Sequence, residues 1–493
     1  MKKFFLGIDI GSSSVKASLA DADDGSCCAS AFSPQNEMPI ESPYPGWAEQ
    51  HPHLWEEHAK LAIAIAMKRS GAGPADILAV GISYQMHGLV CIGSDGKVLR
   101  PSIIWCDSRA VDIGNNAFSA LGRDFCLDRY LNSPGNFTAS KLAWVKQNEP
   151  RIYDKMSYFM LPGDWLAYRL TGEVCTTRSG LSEGILWDFA ARTPSFDLLR
   201  HFEIDSVHLP PLAPTFGIQG KVSPEAAKEF GLPAGIPVSY RAGDQPNNAF
   251  SLRALEPGDI AATAGTSGVV YSVTDKAAKD NESRVNTFVH VNDTDDAPRN
   301  GVLLCINGTG ISNSWIRKIT GNPAYTDMNG MASGICPGAD NLRFIPFGNG
   351  AERMLGNRSP GASFSGLDFN RHQQAHLYRA VQEGIAFAFR YGIEVMHSMG
   401  IVPSVLHAGK ANLFLSPLFC QLMADLTGVN VELYNTDGSL GAALGAGLGS
   451  GHWKSASEAL EGLKQLSQVE PSSGDNILEE HYQNWKKDLE SKL

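Results

Sequence analysis

Two aspartates stand at the ends of short apolar runs in this 493-residue chain. Asp9 lies in FLGIDIGSS, where Leu6, Ile8 and Ile10 alternate with Gly7 and Asp9 before Gly11 and three serines. Asp244 lies in VSYRAGDQPNNAF, after a strand-like run that ends in Ala242-Gly243. A carboxylate beside a loop of small residues has a definite chemistry. Backbone amides in such a loop can close around phosphate oxygens, because no bulky side chain holds them away. The neighbouring acid can hold a divalent cation, usually through water. A carboxylate at a strand-to-helix junction can accept the proton of a hydroxyl that attacks phosphorus. The plainer readings are a hairpin with a Gly-Ser turn around Asp9 and a helix N-cap at Asp244. Capping and proton acceptance are compatible, since both need the ionised form.

The first loop has a second copy. IAATAGTSGVVYSV from Ile260 lies over LGIDIGSSSVKASL from Leu6, with Gly265 on Gly11, Thr266 on Ser12 and Ser267 on Ser13. The offset is constant and is about half of the chain. Two strand–loop–strand hairpins, one opening each half, predict a duplicated α/β architecture with phosphate gripped between two lobes. Thr263 replaces Asp9 in the second copy, so a metal is expected on the side of the first. The turn at Glu256-Pro257-Gly258-Asp259 leads into the second hairpin. The halves are therefore taken as residues 1–245 and 246–493.

Between the hairpins, Ile77 to Ile82 reads as a buried strand that delivers SYQMHG at Ser83 to Gly88. Polar residues just past a buried strand are where α/β proteins usually bind ligands. Gln85 and His87 can both donate and accept hydrogen bonds, as a polyhydroxyl ligand requires. The competing reading of His87 is a structural histidine at a strand end. In IIWCDSR, Trp105 offers a flat face for sugar C–H surfaces, and Asp107 with Arg109 reads by default as a surface ion pair. Thr138 is read as the N-cap of a helix in TASKLAW. In the second half, Leu406 to Asn412 is another strand running into a loop of small residues, where a flat purine could lie against backbone. Gly441, Gly445 and Gly449 recur every four residues and predict a buried helix packed closely on a neighbouring backbone.

Composition bounds the rest. With 43% hydrophobic and 19% charged residues the chain reads as globular, and a net charge of −11 argues against a general nucleic-acid or acidic-membrane surface. Nine scattered cysteines without framework spacing fit reduced thiols, hence a cytoplasmic location. No run approaches the ~18 apolar residues of a membrane span.

Taken together, GIDIGSSSVK, SYQMHG, WCDSR, TASKLAW, AGDQ, AGTSG, GLDF…HLYRAVQEG and AGKAN…SPLFCQLMAD resemble, in order, the motifs of the FGGY family of carbohydrate kinases. The resemblance spans nearly the whole chain. It implies two actin-like/RNase H-like lobes with a cleft between them that takes ATP and Mg²⁺. The QMHG segment, LPGDWLAYRLTGE and GTSGVVY are most similar to members that phosphorylate D-xylulose. By resemblance Asp244 is the general base, and Asp9 positions Mg²⁺ with Asp244 assisting. Ser12, Ser13 and Lys16 face the phosphates from one side, and Gly265, Thr266 and Ser267 from the other. Gly409 and Asn412 lie beside the nucleotide. Met86, His87, Trp105, Asp107, Asp244 and Gln245 line the sugar site. The implied partners are a small-molecule sugar and ATP, with no nucleic acid or membrane, and a homodimer is left open. Three departures stand out. Asp244-Gln245 is closer to glycerol kinases than to the usual Asp-Asn, the AGKANLFLS loop is longer than usual, and Gln382 occupies a position expected to be apolar. Kinases of ribulose, fuculose, gluconate or glycerol therefore stay open as alternatives, as do an actin-like ATPase and a non-catalytic sugar sensor.

Overall fold

A computed structural model describes residues 2–473 and 477–493. The chain forms two compact units. One comprises Met1–Arg253, Phe288–Arg299 and Thr436–Leu463, and the other Ala254–Thr287, Asn300–Asn435 and Lys464–Leu493.

The sheet of the first unit contains Phe4–Ile10 (β1), Val15–Asp21 (β2), Cys27–Ser33 (β3), Ile77–Tyr84 (β4) and Val238–Gly243 (β5), in the order β5-β4-β1-β2-β3. The first three strands are antiparallel neighbours, while β4 runs parallel to β1 and β5 parallel to β4. In the second unit, Asp259–Ala264 (β6), Gly268–Thr274 (β7), Asn300–Ile306 (β8), Val405–Gly409 (β9) and Val431–Tyr434 (β10) run β8-β7-β6-β9-β10, with Gln465–Val469 (β11) beyond. The strand directions repeat those of the first sheet. The repeated hairpins at residues 6 and 260 thus open two copies of one topology.

Side-chain alternation along β1 sends its residues to opposite faces of the sheet. Leu6, Ile8 and Ile10 join the core formed with Trp55, Ala59 and Ile63 of helix Pro52–Ser70 (α1). Gly7 faces the other way, onto helix Gly438–Gly449, the Gly-rich helix of the sequence. A Cβ at Gly7 would come 1.9 Å from the Ser439 carbonyl oxygen, and one at Gly81 on β4 would come 2.0 Å from that of Ala442. Backbone therefore rests on backbone, and only glycine permits that approach. Asp9 shares the Gly7 face, and its carboxylate reaches the start of this helix, where a Cβ at Gly438 would lie 2.5 Å from Asp9 Oδ2.

Candidate functional site

The ends of β1, β4 and β5 converge in the first unit and carry its reactive groups. Asp9 lies opposite Lys16 on β2 and level with Ser83 on β4. Burial raises its carboxyl above the usual range, while Lys16 and the Ser83 hydroxyl oppose that shift. Asp244 begins helix Asp244–Ser251, immediately after β5. Its carboxyl is pushed up to about 7, first by burial and next by the charge of Asp9, while the Gln245 main-chain and side-chain N–H groups favour its ionised form. The N-cap of this helix is Gly243, with no side-chain cap hydrogen bond. Asp244 is thus the first helical residue, and the plain N-cap reading does not hold.

The loop after β1 is tied down from below. Gly11 N–H donates to the Ser14 carbonyl at 3.0 Å, and Gln50 Nε2 donates to the Ser12 carbonyl at 2.7 Å. The exposed Trp105 donates its indole N–H to Ser12 Oγ at 3.3 Å, which brings together two residues that lie far apart in sequence. Ser13 is exposed and Lys16 half-buried. Gln85 is buried under the same loop, with its amide 3.5 Å from Gln50 Oε1.

The Asp107–Arg109 pair is buried, which corrects the surface reading. Asp107 is 0% exposed, and its carboxylate accepts from Ala48 N at 2.6 Å and from Arg109 Nη2 at 2.7 Å. The Arg109 guanidinium lies 3.7 Å from the centre of the Trp47 ring and also pairs with Glu49. This knot sits behind Trp105 and holds its turn, so Asp107 presents no free surface. Gln245 is half-buried beside Asp244.

Met86 is buried, and His87 takes a left-handed φ of 63°. The imidazole stands against Phe137 and Phe288, at 4.8 and 5.5 Å between ring centres. Two residues not singled out from the sequence hold this turn. Lys141 is wholly buried and donates to the carbonyls of His87, at 2.8 Å, and Ile104, at 2.9 Å. Burial lowers its ammonium to about 7. Glu183, in the short helix Arg178–Glu183, accepts from His87 N at 3.4 Å, and burial with the nearby charge of Asp244 drives its carboxyl well upward. Lys141 lies inside the TASKLAW motif, where nothing in its spacing marks it as buried. Glu183 carried no sequence signal at all.

The second unit holds a cavity of about 540 Å³, lined among others by Gly265, Thr266, Asn313, Lys318, Asn329 and Asn412. The turn between β6 and β7 forms one wall. Gly265 and Thr266 carbonyls accept from Gly310 and Ile311 N–H at the start of helix Gly310–Ile319. Asn412 has a left-handed φ of 54°, and its amide nitrogen would lie 3.6 Å from a Cβ on Gly265. Ser267 and Gly409 do not line this cavity, although Gly409 faces open space. Gln382 has a clear reason to be polar. Wholly buried, it accepts from Ser416 Oγ at 2.8 Å and donates to Asn329 Oδ1 at 3.0 Å, and both partners line the cavity.

A duplicated β-β-β-α-β topology, a half-buried acid pair at strand ends and, in the second unit, a cavity of nucleotide size define an actin-like phosphotransferase fold. Residues 4–251 match the N-terminal domain, and residues 260–449 the C-terminal domain, of the FGGY family of carbohydrate kinases. The chain belongs to that family and is a carbohydrate kinase. It is 31% identical to the xylulose kinase of Escherichia coli K12 over 90% of this chain and 88% of that protein. Against the xylulose kinase of Bacillus subtilis 168 the identity is 30%, over 93% and 91%. The crystal structure of xylulose kinase from Rhodospirillum rubrum superposes with a TM-score of 0.86 at 26% identity, over 99% of both chains. Among the described residues, no helix is long and apolar enough to cross a membrane.

Proposed function

We propose that this chain transfers the γ-phosphoryl group of ATP to D-xylulose, giving D-xylulose 5-phosphate. The observation that carries the reading is the meeting of Asp244, Asp9 and the Met86-His87 turn at neighbouring strand ends in a chain about 30% identical to xylulose kinases. Asp244 accepts the proton of the attacking hydroxyl. Its value near 7 suits a base that must be ionised at neutral pH yet able to take a proton. Met86 packs against the carbon chain of the sugar, His87 hydrogen-bonds a hydroxyl, and Trp105 covers a C–H face. Gly265, Thr266 and Asn412 hold the nucleotide, with Ser267 and Gly409 flanking them. Ser12, Ser13 and Lys16 serve the phosphates.

The residues present also suit Mg²⁺. Asp9 and Asp244 are close enough for the charge of one to raise the other, and such a carboxylate pair suits a divalent cation held by one or two carboxylates, phosphate oxygens and water. Among the described residues, no group of three or more His, Cys, Asp or Glu side chains forms a protein-only cage. Asp9 and Asp244 would hold the ion, which when bound neutralises charge on the phosphates.

A coupled ADP-release assay over D-xylulose, D-ribulose, L-fuculose, gluconate and glycerol tests this. The highest kcat/KM is expected with D-xylulose. A faster alternative sugar replaces the substrate and keeps the kinase, whereas no sugar-stimulated ADP release removes both. His87→Ala is expected to lose roughly 1–3 kcal/mol of transition-state binding together with the preference among ketoses. Unchanged rates and preference in that variant would return His87 to a purely structural role.

A further inference from the structure

Glu183 joins two strand ends that the chemistry needs at a fixed spacing. Its Oε1 accepts from the main-chain N–H of His87 at 3.4 Å, and its own carbonyl oxygen lies 2.9 Å from His87 Nδ1. A carbonyl can only accept, so Nδ1 carries a proton, and whenever the ring is neutral Nε2 is its accepting nitrogen. The other carboxyl oxygen lies against β5, 2.3 Å from where a Cβ on Gly243 would stand, next to Asp244. The residue is 1% exposed, so it does not meet solvent or a sugar directly. His87, for its part, is held at a φ that a non-glycine residue adopts only when its surroundings enforce it.

We propose that Glu183 is a positioning residue for sugar selection, clamping the His87 turn by both its ring and its main chain and spacing that turn from the Gly243–Asp244 strand end. A polyol then meets the imidazole acceptor and the Asp244 carboxylate as one rigid pair, and an epimer with a displaced hydroxyl satisfies only one of them. The clamp is a property of the protein alone. Its effect on sugar choice rests on the ketose kinase reading above.

The test uses the full chain with Glu183→Ala, Glu183→Gln and Glu183→Asp. Ring ¹⁵N spectra, with the His87 signals assigned by their loss in His87→Asn, need no substrate. Wild type is expected to show the Nδ1–H tautomer, Glu183→Gln to keep it because the amide oxygen still holds the His87 main-chain N–H and with it the ring over the Glu183 carbonyl, and Glu183→Ala, which releases the turn, to show a mixture. With D-xylulose and ATP, Glu183→Ala is expected to raise the sugar KM at least ~10-fold and to flatten the preference for D-xylulose over D-ribulose, with the ATP KM within about twofold. Glu183→Gln is expected to restore most of this. Should Glu183→Ala fail to fold, Glu183→Asp replaces it, since it keeps the acid but withdraws it by one methylene and is expected to behave like the alanine variant. A His87 tautomer and sugar KM unchanged in the shortened variants, or a glutamine variant no better than alanine, overturns the proposal. If wild type turns over no ketose, the substrate assignment fails, while the ¹⁵N arm still decides the clamp.

Discussion

At the scale of single residues, Asp244 carries the sharpest expectations. Asp244→Asn keeps the shape and removes the base, so kcat should fall at least ~10²-fold with sugar binding largely retained. A variant turning over at near wild-type rates would move the base elsewhere. With its carboxyl near 7 in the ligand-free protein, kcat/KM for the sugar should rise tenfold per pH unit below about 7 and level off above it. A flat profile between about pH 5 and 8 would contradict that. Stability has the opposite slope. The native carboxyl keeps a proton that the unfolded chain has already released, so its stabilising share is whole at low pH and falls as pH climbs from the ordinary carboxylate range toward about 7. Asp244→Asn should accordingly melt about 2–5 °C above wild type near pH 8 and close to it near pH 4. Calorimetry at the two pH values checks the sign. The places of Asp9, Asp244 and His87 at strand ends were legible, because a polar residue closing an apolar run leaves a pattern in sequence. Asp107 was misjudged in its surroundings, because spacing of two residues cannot report that Trp47, Trp144 and Glu49 close over the pair. Glu183 and Lys141 are recognisable only once distant segments meet.

At the scale of elements, the hairpin turns were readable from their glycines, and the structure adds which glycine tolerates change. A Cβ on Gly265 would meet nothing nearer than Asn412 Nδ2 at 3.6 Å, whereas one on Gly310 would lie 2.3 Å from the Gly265 carbonyl oxygen. Gly265→Val should therefore fold normally and put its methyl groups into the cavity wall. We expect ATP to bind at least ~10-fold more weakly by titration calorimetry, with sugar binding unchanged. Unaltered ATP affinity would show that the loop is only a turn. The helix in TASKLAW does run Thr138–Asn148, but its N-cap is Phe137, and the Thr138 hydroxyl turns instead to the Gly88 carbonyl. Gln382 looked like a departure from pattern because its two partners, Ser416 and Asn329, lie in separate helices or at their caps.

At the scale of the molecule, the duplicated topology was foreseeable from two similar hairpins, but the return of Thr436–Leu463 to the first unit was not. The four-residue spacing of glycines announced a tightly packed helix without naming the surface it packs on. That surface is the sheet of the first unit, which fixes a stability prediction. Gly81→Ala drives a methyl group into the Ala442 carbonyl and should lower the melting temperature by about 5 °C or more. A melting curve unchanged in that variant would mean that the helix is free to shift.

The same helix bears on how the protein is made. Its residues, 438–449, leave the ribosome after nearly nine-tenths of the chain, yet they cover a face of the sheet begun by residues 4–10. Until then Gly7, Gly81 and the apolar backbone around them lack their covering layer, so the first unit cannot finish folding as it emerges. A nascent chain stalled before residue 436 should stay open to protease in β1 and β4, and one released after residue 463 should not.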